Sequence, residues 1–155
     1  MARIRTISGM ALGSALVWIA ATGAVGATPP EGELGGCHRG GVLTGERIPG
    51  TGSAGQSVRR TGEVWDCVSS LLPGIASGRF RAELPWRGFG AHTSGRFEWS
   101  DGSVSLVTGL PNTLWVVDSG PGSGHVLQFQ LAMAMNGDWY YTDNAMAINS
   151  LRFVE

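Results

Sequence analysis

The sequence predicts an all-β protein: a single small antiparallel barrel, or a sandwich, of about seven to eight strands behind an N-terminal signal peptide. Three features lead there. Twenty-five glycines and a charged fraction of 15 % suit tight turns and paired strands better than helices. Apolar and polar residues alternate with period two in several segments after residue 60. Turn-forming clusters separate those segments about every ten residues, with connections short enough to favour a barrel of consecutive hairpins.

The first 27 residues read as an export signal. Arg3 and Arg5 supply the positive start, and Ile7 to Ala21 runs apolar apart from Ser8, Gly9, Gly13 and Ser14. Val25-Gly26-Ala27 suits a signal peptidase, with Ala27 the last residue removed. The apolar run is short of the about 20 residues a membrane span needs, so no stable membrane anchor is expected after processing. The arginines are not adjacent, which points to the general secretory route and a secreted, extracellular protein. Leu34-Gly35-Gly36-Cys37 loosely resembles a lipid-attachment box, but residues 28–33 separate it from the apolar run.

The chain after residue 27 has nine arginines, no lysine and twelve acids, a charge of −3. That balance lacks the basic footprint of nucleic-acid binding. Cys37 and Cys67 are its two cysteines, and outside the cytoplasm such a pair forms a disulfide. Closing a loop of about 30 residues would stabilise the fold by about 3–4 kcal/mol. Cys37-His38 alone, without Cys-x-x-Cys spacing, is no basis for a metal site.

Residues 28–60 read as an irregular Gly/Pro/Ser-rich arm, with one short strand near Gly41–Thr44, and residues 61–155 as the antiparallel β domain. Glu63–Val68 is the first regular strand, and Leu71-Leu72-Pro73-Gly74 turns the chain. Arg79–Leu84 alternates strictly, and Gly95–Trp99 repeats the pattern. Ser100–Ser103 is a hairpin turn into Val104–Val107; Leu110-Pro111-Asn112 then leads to Thr113–Val117. Gly120–Gly124 precedes the longest strand, His125–Met135, which places His125, Leu127, Phe129, Leu131, Met133 and Met135 on one face. Asn136-Gly137 is a strong hairpin signal, Trp139-Tyr140-Tyr141 its returning strand, and Ile148–Val154 the last strand.

The chemistry-bearing residues form no cluster. Glu98 with Asp101, and Asp138 with Asp143, sit at turn positions that Asp favours for backbone reasons. His38, His92 and His125 are scattered, without metal-ligand spacing. Gly120–Gly124 lacks a lysine and leads into a strand, so it is not a phosphate loop. No catalytic residue, metal or cofactor is assigned.

The aromatic residues are the stronger lead. Trp65, Trp86, Trp99, Trp115 and Trp139 fall on or beside separate strands. In a small barrel such rings either fill the core or line a cavity. As a strand, the Trp139–Tyr141 run would point Tyr140 away from its two neighbours. Ligand contacts are therefore expected at Trp99, Trp115, Trp139, Tyr140 and Tyr141.

Residues Phe97–Ser105, the glycine loop before His125 and the early cysteine pair together resemble small exported β proteins common in actinobacteria, which carry a similar Trp-x-[Asp/Asn]-Gly-x-x-Ser hairpin. The resemblance spans residues 60–155 and implies export and β architecture, with no activity and no site residues. The expected function is a secreted, non-enzymatic domain that binds a small ligand or an extracellular protein through aromatic residues and loops at one barrel mouth. The alternatives are a secreted hydrolase using Asp or Glu with His92 or His125, and a secreted protein inhibitor presenting the Ser100–Ser103 or Asn136–Gly137 hairpin.

Overall fold

The computed structural model describes residues 34–110, 113–133 and 137–155. The signal-peptide reading of residues 1–27 lies outside the described residues. Nine strands follow in chain order: β1 (Gly36–Gly40), β2 (Val42–Pro49), β3 (Gln56–Val68), β4 (Ser77–Pro85), β5 (Thr93–Trp99), β6 (Val104–Leu110), β7 (Leu114–Ser119), β8 (Val126–Leu131) and β9 (Met146–Val154).

From β2 to β9 each strand pairs antiparallel with its successor. β9 then returns to pair with both β1 and β2, which closes the ring. β1 and β2 share one position in it, since both lie between β3 and β9. A one-residue slip at Gly41 joins them. Its N–H donates to the Glu63 carbonyl at 3.0 Å, and its carbonyl accepts from Ile148 N–H at 2.8 Å. Nine segments thus make an eight-position up-and-down barrel without a free edge, which removes the template for edge-to-edge association.

This closure corrects the reading of residues 28–60 as an irregular arm. Over its described part, β1, β2 and the start of β3 belong to the barrel wall, with Leu43, Val58 and Arg60 buried. The two-residue rhythm is hidden there because the inward positions of β3 include a guanidinium and a glycine, Arg60 and Gly62. The Cys37–Cys67 disulfide is present, and its two residues stand directly opposite each other in the β1–β3 ladder.

Two corrections concern the C-terminal third. β8 ends at Leu131, beside a register shift at Gln130/Leu131, and Met133 is exposed rather than inward. Met135 and Asn136 lie outside the described residues. Residues Gly137–Tyr141 form a 3₁₀ turn, not a strand. With β9 paired on both sides, the ladder has no vacant position for them. Successive side chains in a 3₁₀ turn point about 120° apart, so Trp139, Tyr140 and Tyr141 pack against different neighbours, and each is buried.

The interior is a continuous column of rings. Trp99 stacks on Phe97 with centroids 5.0 Å apart. Phe97 meets Phe80 at 5.0 Å, and Phe80 meets Phe129 and Trp115 edge-on at 5.1 and 4.8 Å. Trp115 reaches Tyr140 at 6.3 Å, and Tyr140 packs edge-on against Trp139 at 5.3 Å. Two inward glycines make room for Trp115. A Cβ at Gly95 would lie 3.1 Å from Trp115 Cζ3, and one at Gly109 only 2.8 Å from the same atom. The barrel is filled at this level.

Candidate functional site

The Gly137–Tyr141 turn and the residues after it plug one mouth of the barrel, held there by Arg60. The Arg60 side chain is fully buried. Its Nε donates to the Tyr140 carbonyl at 3.2 Å, its Nη2 to the carbonyls of Trp139 and Thr142 at 2.9 and 2.6 Å, and its Nη1 to that of Asn144. The guanidinium carbon also stands 4.2 Å from the Trp139 ring centre. Carbonyls left over where a helical turn ends attract a cation, and here one fork satisfies four of them. Burial pushes the Arg60 pKa down to about 10, with Tyr140 and Asp143 opposing the shift.

A second clasp joins the plug to the wall. Arg47 of β2 stacks 4.0 Å over the Trp86 ring, and its Nη2 donates to Asp143 Oδ2 at 2.9 Å. Trp86 itself is fixed through its backbone. Its N–H donates to Gln56 O, and its carbonyl accepts from Ser53 N–H, at 3.0 and 2.9 Å.

The loop that follows, residues 86–92, forms the rim. Tyr141 anchors it at two points: the Tyr141 carbonyl accepts from Arg87 N–H at 2.9 Å, and the Tyr141 hydroxyl donates to Ala91 O at 2.5 Å. Gly88 N–H bonds Pro85 O and Ala91 N–H bonds Gly88 O, each at 3.0 Å. Within this tied loop Phe89 stays 54 % exposed, its ring edge-on to Tyr141 at 6.0 Å. Arg87 is exposed and holds φ +53°, a left-handed conformation that costs a non-glycine residue about 1 kcal/mol or more.

The five aromatic residues expected to contact a ligand are all buried, at 2–4 % exposure. Trp115 and Tyr140 meet in the column, and Trp139 to Tyr141 build the plug. Trp99 lies at the far end of the column, where its indole N–H donates to Ser105 Oγ at 2.7 Å. The rim residues Arg87 and Phe89 were not among the sequence candidates. Their signal is the break of strand pattern over Trp86–His92, where an exposed cation and ring sit among glycines.

The carboxylates do not converge. Cross-strand register sets Glu46 opposite Arg59 and Arg59 opposite Glu83, and likewise Glu63, Arg79 and Glu98 in the next row. Ion pairs at 2.7–3.4 Å engage all four of these acids on the outer wall. Asp101 accepts from Ser103 within its own turn, and Asp118 from Thr108. The Ser103 hydroxyl and N–H hold the Asp101 carboxyl below its usual range. His92 is exposed, and His125 Nδ1 lies 3.3 Å from Ser123 O. An outer groove of about 590 Å³ between β1 and β9 is lined by His38, Arg152 and Glu155 among others, but no hydrogen bond or ion pair joins His38 to Glu155. Among the described residues no three His, Cys, Asp or Glu side chains gather as a metal site.

No family model, curated protein or solved structure matches the chain.

Proposed function

We propose that the protein is an exported, non-enzymatic binding domain, and that its contact surface is the rim of the plugged mouth. One observation carries this reading: the 86–92 loop is hydrogen-bonded to the plug at both of its ends, yet it presents Phe89 and Arg87 to solvent. A loop ordered before binding loses little conformational freedom on contact, and aromatic residues and Arg are the side chains that anchor interfaces most often. The filled interior favours recognition by this surface over capture of a ligand inside the barrel. Export is supported by the Cys37–Cys67 disulfide, and among the described residues no helix is long and apolar enough to cross a membrane.

Photo-crosslinking from the rim tests the reading. p-Benzoyl-phenylalanine in place of Phe89, in protein secreted by its own host, is expected to give one discrete adduct that excess unlabelled protein competes away. The same probe in place of Ser103, at the opposite end of the barrel, is expected to give none. Equal adducts from both positions, or none from position 89, would remove the mouth as the contact surface. N-terminal sequencing of the same material is expected to start at Thr28, and a start at Met1 would remove the export reading.

A further inference from the structure

The chemistry of the rim also specifies what it binds. We propose that the plugged mouth takes the C-terminal aromatic residue of a partner protein, with Arg87 holding its carboxylate and Phe89 packing on its ring. This inference rests on the mouth being the contact surface.

Two guanidinium groups flank Trp86, Arg47 at 4.0 Å and Arg87 at 5.7 Å from its ring centre. Arg47 is already neutralised by Asp143. Arg87 has no hydrogen-bonded or ionic partner for its guanidinium among the described residues. Beneath the plug, Arg60 carries a further positive charge bonded to carbonyls alone. The described side chains of the mouth are thus short of negative charge, although the chain as a whole is slightly acidic. On the outer wall Arg39, Arg59, Arg79, Arg81 and Arg96 pair with Asp or Glu, and Arg152 of β9 is the exception.

Arg87 stands out by geometry as well. It occupies a left-handed backbone position where Asn or Gly would be cheaper, and two residues later Phe89 is exposed on the same tied loop. A guanidinium without an anionic partner and an exposed ring on the same tied loop match a carboxylate and a ring offered together. An aliphatic partner would leave the guanidinium unpaired, and a phosphate alone would leave Phe89 uncovered.

N-acetyl-phenylalanine is the minimal probe, titrated against the isotope-labelled protein at low salt and followed by amide NMR shifts. Saturable shifts are expected at Arg87, Gly88, Phe89 and Gly90. The neutral analogue, N-acetyl-phenylalanine amide, is expected to bind roughly tenfold more weakly, the scale of one charge-assisted hydrogen bond. Arg87→Asn tolerates the left-handed backbone, so the fold is retained, and it is expected to bring the acid down to the affinity of the amide. Phe89→Ser is expected to weaken both probes. Equal binding of acid and amide, an unchanged titration in Arg87→Asn, or no shift at these residues would overturn the proposal. A rim crosslink from position 89 combined with a failed titration would leave the mouth as the contact surface and discard this chemistry alone.

Discussion

The guanidinium carbon of Arg60 lies 4.2 Å from the centre of the Trp139 ring, and the same side chain donates to the Trp139 carbonyl at 2.9 Å. One buried cation thus holds both the ring and the backbone of the plug. Its hydrogen bonds all go to carbonyls, with the Asp143 carboxylate adding only a charge interaction, so the fork shape matters as much as the charge. Arg60→Met would leave the carbonyls of Tyr140, Thr142 and Asn144 without their donor and that of Trp139 to Thr142 alone, and the expected loss of stability is about 3–5 kcal/mol. Arg60→Lys keeps a charge but offers three donors from a single point, and should lose about 2 kcal/mol or more. Urea unfolding checks both. A change below 1 kcal/mol in either variant would mean that the plug is held by packing alone.

Tyr140 leads to a pH-dependent prediction. Its hydroxyl and the Trp115 indole N–H are both buried without a hydrogen-bond partner. Even if the indole moved to donate to the phenol oxygen, the phenol proton would still lack an acceptor. Tyr140→Phe removes that orphan donor and should raise stability by about 1 kcal/mol at neutral pH.

Burial raises the Tyr140 pKa above its usual value of 10.0, against the opposing effect of the Arg60 charge. Above pH 10 the folded state therefore keeps a proton that the unfolded state loses, and stability falls as pH rises. Arg60 acts with the opposite sign. Its folded pKa of about 10 lies below the ordinary 12.5, so through that window the unfolded state holds the extra proton and stability rises with pH. Removing only the first effect means that the advantage of Tyr140→Phe over the parent should widen from pH 10 to pH 12. The chain has two tyrosines, so the parent-minus-variant spectrum isolates Tyr140. It should show no tyrosinate at pH 11 in the folded state and one in urea. A folded Tyr140 that ionised near pH 10 would contradict its burial.

The Trp-x-Asp-Gly-x-x-Ser hairpin has a structural explanation. Trp99 Nε1 donates to Ser105 Oγ, which donates to the Pro121 carbonyl, both at 2.7 Å. Asp101 accepts from the Ser103 N–H and hydroxyl, and Gly102 takes the left-handed φ of +85°. The motif pins two turns at one end of the barrel. Ser105→Ala should cost about 1–3 kcal/mol by leaving a buried indole N–H unpaired. Asp101→Ala, at an exposed turn, should cost far less at neutral pH, and the difference from the parent should vanish on acidification through the lowered Asp101 pKa. Thermal melts of the two variants separate these outcomes, and equal destabilisation would remove the pin.

Most of the strand order was legible because β4 to β8 keep the two-residue alternation. Arg79, Arg81 and Glu83 point out between Phe80, Ala82 and Leu84, which is the pattern of one wet and one dry face. Legibility failed where a polar residue faces inward. Arg60 in β3 reads as a surface charge until the plug that it binds is placed, and that plug lies 79–84 positions further along the chain. Trp139–Tyr141 follows Asn136-Gly137 as a returning strand would. Only the closure of β9 against β1 and β2 removes the pairing edge it would need. The aromatic candidates were chosen by residue type, which cannot tell a column of packed rings from the lining of a pocket. The rim residues depend on long-range contacts with Tyr141, and no local spacing reports those.

Whether the barrel is packed or hollow is decided at Gly109. A Cβ there would lie 2.6 Å from Thr93 Oγ1 and 2.8 Å from Trp115 Cζ3, closer than such contacts allow. Gly109→Ala should therefore cost about 1–3 kcal/mol through overpacking, with Trp115 displaced toward the plug. Gly41→Ala is the matched control. Its new methyl would meet Trp65 at an ordinary 3.6 Å, so its cost should stay within about 1 kcal/mol, the scale of a glycine-to-alanine change without strain. Urea midpoints rank the two variants, and Trp115 side-chain NMR shifts report the displacement. If Gly109→Ala were as mild as Gly41→Ala, the interior would have room to yield beside Trp115, and a small ligand inside the barrel would again compete with the rim as the binding site.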